Sequence, residues 1–278
     1  MYISRILFIS VICLFSVQLN AQLVKDNFYR KGNFSIYWGW NRAAFTTSDI
    51  QFKGDNYNFT LTNVIGKDRQ SEFDARLYFN PKTITIPQYN FRIGYFLHDH
   101  YQISIGTDHM KYVVQAFQNV TINGYISGTG TVYDGTYVND MIKLEKDFLQ
   151  FEHTDGLNYG NMELRRFDVV LGRKNIALAF NEGLGVGILL PRTNTTLMNN
   201  PRYDEFHLSG YGFSAVLAAN LTFFKYFFVQ MEWKGGFINM PDIRTTLNSA
   251  DRANQHFWFS QYNVVFGANF RLNKKVKE

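Results

Sequence analysis

Apolar and polar residues alternate at period two in eight segments of this chain, and no other feature limits the fold as tightly. Period two belongs to strands, whose successive side chains point to opposite faces of a sheet. The segments run from Asn33 to Asn41, Gln88 to Leu97, Tyr101 to Val114, Leu164 to Gly172, Ile176 to Leu190, His207 to Thr222, Tyr226 to Ile238 and Phe257 to Leu272. Three connections are tight: His98-Asp99-His100, Arg173-Lys174-Asn175 and Phe223-Phe224-Lys225. The other four are long, spanning Arg42 to Pro87, Gln115 to Glu163, Pro191 to Phe206 and Asn239 to His256. Short and long alternate strictly, so an up-and-down meander places every tight turn at one end and every long loop at the other. The pattern predicts an all-β, up-and-down antiparallel transmembrane β-barrel of eight strands with long extracellular loops. Its strands lie within residues 33–272 of a single domain, 22–278.

Glycine decides which face points inward. In the last segment Trp258, Tyr262, Val264, Phe266, Ala268 and Phe270 share one face, opposite Gln261, Asn263, Gly267, Asn269 and Arg271. The same split sets Phe34, Ile36, Trp38 and Trp40 opposite Gly39, and Tyr211, Phe213 and Leu217 opposite Gly210, Gly212 and Ser214. Glycines on the polar face suit a crowded lumen, whereas a water-facing surface would carry Lys, Glu and Thr. Apolar faces therefore point out to lipid. A bundle of membrane helices is excluded, because beyond the first residues the longest apolar run, Gly183 to Leu190, falls far short of the ~20 residues a spanning helix needs.

The inward face is expected to hold Arg92, Asp108, Arg166, Asp168, Glu232, Lys234 and Arg271. Eight strands leave room only for side chains, and buried charges must be paired, so these residues are read as an ion network that plugs the barrel. Around Phe180-Asn181-Glu182, strict alternation puts Glu182 on the lipid side unless a β-bulge turns it inward.

Met1 to Arg5 supplies a basic start, Ile6 to Val17 a mostly apolar stretch and Leu19-Asn20-Ala21 a cleavage region, the layout of a secretory signal peptide over residues 1–21. Its Cys13 is the single cysteine, so the mature chain is expected to lack disulfides, thiolate metal sites and cysteine nucleophiles. Loss of Arg5 takes the formal charge from +5 to +4, and the basic tail 271–278 carries most of the remainder. That distribution gives no nucleic-acid surface. No cofactor and no metal is expected.

With these strands, turns and its final segment Phe257 to Phe270, the chain resembles the small outer-membrane barrels typified by the OmpA and OmpX transmembrane domains. The resemblance implies a place in the outer membrane of a Gram-negative bacterium. It also implies a C-terminal strand, with Tyr262, Val264, Phe266 and Phe270 outward, that the barrel-assembly machinery reads. The chain departs from many members in having eight residues after Phe270.

The sharpest chemical pattern is Glu205-Phe206-His207-Leu208-Ser209, where period two aligns Glu205, His207 and Ser209 on one outward face at the extracellular rim. The His-x-Ser spacing is similar to that of the eight-stranded lipid A deacylases, which implies His207 as base and Ser209 as nucleophile. Gly210 stands where that family has Asn, and the exposed triplet reads better as polar strand-end chemistry. His98 and His100 read as a solvated turn, Asp108-His109 as lumen filler beside a rim residue, and Glu152-His153-Thr154-Asp155 as a solvated loop. The expected function is a non-enzymatic barrel with an envelope-integrity role, or a surface recognition or adhesion role. The alternatives are a lipid A or phospholipid acyl hydrolase and a small channel. Expected partners are outer-membrane lipids including lipopolysaccharide, the assembly machinery, and an extracellular ligand held through loops 42–87 and 115–163.

Overall fold

A computed structural model describes residues 30–272 apart from 81 and 199, so the signal peptide reading and residues 273–278 of the basic tail lie outside the described residues. The chain runs through β1 (Phe34–Phe45), β2 (Ser48–Lys53), β3 (Tyr57–Val64), β4 (Gly66–Asp68), α1 (Ala75–Phe79), β5 (Tyr89–Phe96), β6 (Tyr101–His109), β7 (Tyr112–Val114) and β8 (Asn119–Ile126). It continues through β9 (Gly135–Lys143), β10 (Leu149–His153), β11 (Tyr159–Arg173), β12 (Ile176–Leu189), β13 (Arg192–Leu197), β14 (Tyr203–Phe206), β15 (Gly210–Phe223), β16 (Phe227–Arg244) and β17 (Arg252–Phe270).

Eight of these strands, in the order β1-β5-β6-β11-β12-β15-β16-β17, form an antiparallel wall. β1 pairs with β17 from Phe34↔Phe270 to Phe45↔Phe259 as well as with β5, so the wall closes on itself. A ladder row followed once around runs from Tyr159 through Asp108, Asn90, Gly39, Val265, Gln230, Asn220 and Ala179. It returns to β11 at Val169, ten residues from where it began. Eight strands with that stagger tilt by about 40° and enclose a radius of about 8 Å, which side chains fill. The wall's exposed residues include Ile93, Ile105, Leu184, Phe213, Met231, Tyr262 and Phe266, an apolar exterior that makes this a transmembrane barrel. No helix among the described residues is long and apolar enough to cross a membrane.

The tight turns gather at one end. Lys174, Phe224 and Lys225 take positive φ there, the left-handed conformation that short hairpins need to match strand twist. Asp99, in the β5–β6 turn, accepts hydrogen bonds from the backbone N–H groups of Arg30 (2.7 Å) and Lys31 (2.8 Å). The Arg30 guanidinium packs over the Phe96 and Phe167 rings and closes the barrel's lower end.

At the other end the segments expected to be long loops contain strands of their own. β2, β3, β8 and β9 continue the wall's sheet beyond β17, and β14-β13-β10-β7-β4 form a second sheet. Ile50, Phe52, Phe59, Ile122, Phe148, Phe151 and Ile243 are buried in one apolar core within this head. The Gly124 to Gly135 stretch lies at the β8–β9 hairpin. Asn239 to Ile243 proves to be strand, since β16 runs on to Arg244. Phe73 to Pro87 carries α1, whose Tyr78 and Phe79 pack on Trp40 of the wall.

Candidate functional site

Inside the barrel three cations meet three carboxylates. Glu163 stands at the centre, 2.9 Å from Arg92, 2.6 Å from Arg165 and 2.7 Å from Lys234. Arg165 also bridges to Glu232 at 2.6 Å, and Lys234 to Asp108 at 2.6 Å. All six side chains are buried. The Tyr37 hydroxyl donates to Glu232 and accepts from Arg92 and Arg165, while Asn263 and Gln230 donate to the Glu232 carboxylate. Charges balance across the set, and neutral amides add bonds to the outer two carboxylates, Asn90 and Asn161 to Asp108, Gln230 and Asn263 to Glu232. Burial without this pairing would cost several kcal/mol per ion.

The structure thus places Arg92, Asp108, Glu232 and Lys234 together in the lumen. Arg166 and Asp168 are corrected: they form a partly exposed pair, 2.9 Å apart, on the outer face. Their lumenal places belong to Arg165 and Glu163, one register step away, and a one-residue shift exchanges the faces of a whole strand. The shift follows Phe167, which turns inward against Phe96 with ring centroids 5.2 Å apart. A bulge between Val169 and Leu171 resets the phase below it. Arg271 is corrected too: it is exposed at the turn end and donates to the Lys31 carbonyl. Glu182 stays outward, since the irregularity falls on β11 and not beside it.

The rim triplet does not assemble. Glu205 lies on β14 opposite Thr193, in the second sheet, and the chain leaves that strand before β15 begins. Ser209 is buried, and its hydroxyl donates to the carbonyl of His207. The His207 ring instead meets Asp242 at 3.0 Å, and Arg252 holds the other oxygen of that carboxylate at 3.1 Å. Among the described residues no carboxylate or imidazole nitrogen bonds the serine hydroxyl, and the His207 ring ties the β14–β15 connection to Asp242 of β16.

The remaining histidines lie apart from this group, His256 against the Phe237 ring. The His98 and His100 rings stack at 5.7 Å in their turn. His109 bonds Asn158 at 2.8 Å and stacks on Tyr89. In the 152–155 stretch, Glu152 pairs with Arg69 and Asp155 with Arg192, while His153 is wholly buried, bonded to Thr193 at 2.9 Å. Removal from water, uncompensated by any nearby carboxylate, pushes the His153 ring down to about 3.

The surface farthest along the sheet is built by three adjacent hairpin ends, 54–56, 127–134 and 245–251. Asn248 donates to Asp55 at 3.2 Å, and the Ser127 N–H donates to the Asn56 carbonyl at 2.9 Å, which ties the three together. Asp134 accepts from the backbone N–H groups of Thr129 and Gly130 and from the Thr129 hydroxyl. Those bonds, the hydroxyl's first, hold its carboxyl below the usual range. Thr246 caps Asp251 in the same way at 2.6 Å. The loops are therefore preshaped, and they present Val132 and Leu247, 89% and 80% exposed, on the two outer ends of the three.

No family model matches the chain, and no curated protein matches it. Among solved structures it is similar to the outer membrane protein OprG from Pseudomonas aeruginosa, at 10% identity over 89% of this chain and 100% of that one, with a TM-score of 0.43. It is similar to the outer membrane protein AlkL, studied in lipid bilayers, at 11% identity over 91% and 97% of the two chains, TM-score 0.40. A third similarity is to Ail, the attachment invasion locus protein of Yersinia pestis, at 7% identity over 86% and 99%, TM-score 0.32.

Sequence reasoning missed Glu163, Arg165 and the tip. The first two were legible as an alternating Asn161, Glu163, Arg165 row set against Met162 and Leu164. The tip was not legible, because nothing local says that residues 55, 127 and 248 lie side by side.

Proposed function

We propose that this protein is a non-enzymatic outer-membrane barrel of a Gram-negative bacterium whose head acts as a surface recognition or adhesion module. One observation carries the reading: a head with its own apolar core rises from a barrel whose lumen is filled by a balanced ion network. A filled lumen serves neither as a channel nor as a reaction cavity. A rigid head with preshaped hairpin ends suits contact with an exterior partner, centred on Val132 and Leu247. The wall's apolar exterior contacts outer-membrane lipids including lipopolysaccharide, and the row Tyr262, Val264, Phe266 and Phe270 is the signal read by the assembly machinery.

The test joins two measurements on the full chain. In a planar bilayer the purified protein passes little current, and a steady large conductance overturns the plug. Exterior material captured by the wild type is lost when Val132→Asp and Leu247→Asp are combined, and undiminished capture overturns the tip.

A further inference from the structure

The turn end of the barrel holds a cavity of about 220 Å³ that takes no part in the reading above. It lies between the turn leading into β1, the β15–β16 turn and the foot of β17, and Arg30, Asn33, Thr222, Lys225, Asn269 and Arg271 line it. Three of these are cations and three are neutral hydrogen-bonding side chains, and no carboxylate lines the cavity among the described residues. Its volume falls below the roughly 300 Å³ at which pockets for whole small molecules begin, so it suits one chemical group.

Arg30 is the residue that calls for an anion. It is 8% exposed, yet its guanidinium makes no hydrogen bond or ion pair among the described residues and packs only over the Phe96 and Phe167 rings. Asp99 bonds the backbone N–H groups of Arg30 and Lys31 and forms no ion pair with the guanidinium. A guanidinium cannot shed its proton to escape burial, so its five N–H donors need acceptors. On the lumenal side Arg30, Phe96, Phe167 and Phe228 border a space of about 10 Å³, room for one water at most. A counterion therefore reaches Arg30 from the turn end. The site is also held in shape: Gly32 N–H donates to the Phe96 carbonyl and Phe96 N–H to the Asn33 carbonyl, both at 2.9 Å. Arg271 lies against Gly32, with one Nη2 donor on the Lys31 carbonyl and its other donors unbonded among the described residues.

We propose that this mouth is a phosphate-binding site, with phosphate oxygens on the Arg30 and Arg271 guanidinium groups and the Lys225 ammonium at the rim. The three cations come from three separate elements and surround the cavity. That arrangement fits a tetrahedral group with acceptors in several directions better than a planar carboxylate, whose two oxygens a single guanidinium fork already fills. Asn33, Thr222 and Asn269 supply neutral polar contacts. The phosphate has two sources, a soluble phosphate of the periplasm or the phosphodiester of an inner-leaflet lipid. The second is in reach because Tyr226 and Phe270, both exposed, join the cavity to the aromatic rim where headgroups lie.

The full chain, folded in a maltoside detergent, is titrated with inorganic phosphate at neutral pH and read by calorimetry. The wild type is expected to bind one phosphate per chain. Arg30→Gln and Arg271→Gln should each weaken binding about tenfold or more, the size of one charge-assisted hydrogen bond. Arg202→Gln, which removes a positive charge from the head, should leave the affinity unchanged. Folding of each variant is checked by heat-modifiable gel mobility, and Arg271, on the exposed rim, decides the test where Arg30→Gln disturbs the fold. A second arm folds the chain into phosphatidylglycerol vesicles, extracts it and weighs it with the lipid it retains. Retained lipid that inorganic phosphate displaces assigns the headgroup, and bound phosphate without retained lipid assigns the soluble source. Neither bound phosphate nor displaceable lipid in the wild type overturns the proposal, as does undiminished binding in folded Arg271→Gln or an equal loss in Arg202→Gln. Acetate bound as tightly as phosphate overturns the choice of anion.

Discussion

The wall and the head solve opposite problems with the same strands. Along β17 the inward positions read Asn263 and Gln261 in the lumen, then Phe259, Phe257 and Ala253 in the head, interrupted by Gln255, which donates to the Ser48 and Tyr112 hydroxyls. The outward positions read Phe266, Val264, Tyr262 and Trp258, then His256 and Asn254. β16 inverts at the same level, with Glu232 and Lys234 giving way to Ile238 and Met240 inside, and Phe237 to Asn239 outside. Phe237 faces Trp258 and Ile238 faces Phe257 across the two strands, so the inversion is one seam across the sheet. Neither strand shifts register at the seam. What changes is the solvent: below it hydrocarbon takes the apolar face and leaves polar groups to pair inside, and above it water drives the apolar face inward. One region is therefore held by paired charges and hydrogen bonds, the other by burial of apolar surface.

The strongest way to break this contrast is Glu163→Ala, which strands Arg92, Arg165 and Lys234 without their common carboxylate. We expect a loss of ~3 to 5 kcal/mol in the wall's stability, read as a lower denaturant midpoint in lipid vesicles. Arg166→Ala, which breaks only the partly exposed pair with Asp168 on the outer face, should cost no more than ~1 kcal/mol. Equal effects from the two would return the lumen to the register read from sequence.

Ile50→Ala attacks the other region. Ile50 is fully buried in the head core, and its truncation should cost ~2 to 4 kcal/mol there. The head should become sensitive to protease while the barrel keeps its heat-modifiable mobility. Joint loss of both would mean that wall and head fold as one unit.

Acid should separate the regions next. The buried His153 ring is held neutral down to about 3, whereas an exposed ring titrates near 6.5. An opened head therefore binds a proton that the closed head refuses. The contribution is whole above about pH 6.5, falls as pH drops toward 3, and amounts to about 2 kcal/mol lost at pH 5. Hydrogen exchange of the head at pH 7 and pH 5 should show the loss, and His153→Gln should flatten that slope. A slope of the same size in the variant assigns the acid sensitivity to other groups.

The smallest effect on stability and the clearest on assembly should come from Phe270→Ala. Phe270 is outward at the foot of β17, stacked on Phe34 at 5.9 Å. Insertion should slow and more unfolded chain should persist in the periplasm, while deletion of Asn273 to Glu278 leaves the folded band nearly intact. The reverse outcome would displace the assembly signal from β17.

The sequence by itself determined the wall. Eight alternating segments, three tight turns and glycines on the polar face required a barrel with its apolar side out, because side chains on a strand have only two faces to occupy. Even the seam is written in β17, where the inward row turns from Asn263 and Gln261 to Phe259 and Phe257. Tertiary structure decided what alternation leaves degenerate. In β11 the adjacent Arg165 and Arg166 fit either face, and the packing of Phe167 on Phe96 together with the bulge at Val169 chose Arg165 for the lumen. In the head, short strands from three separate stretches, 48–68, 112–153 and 192–206, find partners far along the chain. β2 pairs with β17 and β3 with β8, contacts set by the burial of a shared core that no local pattern encodes.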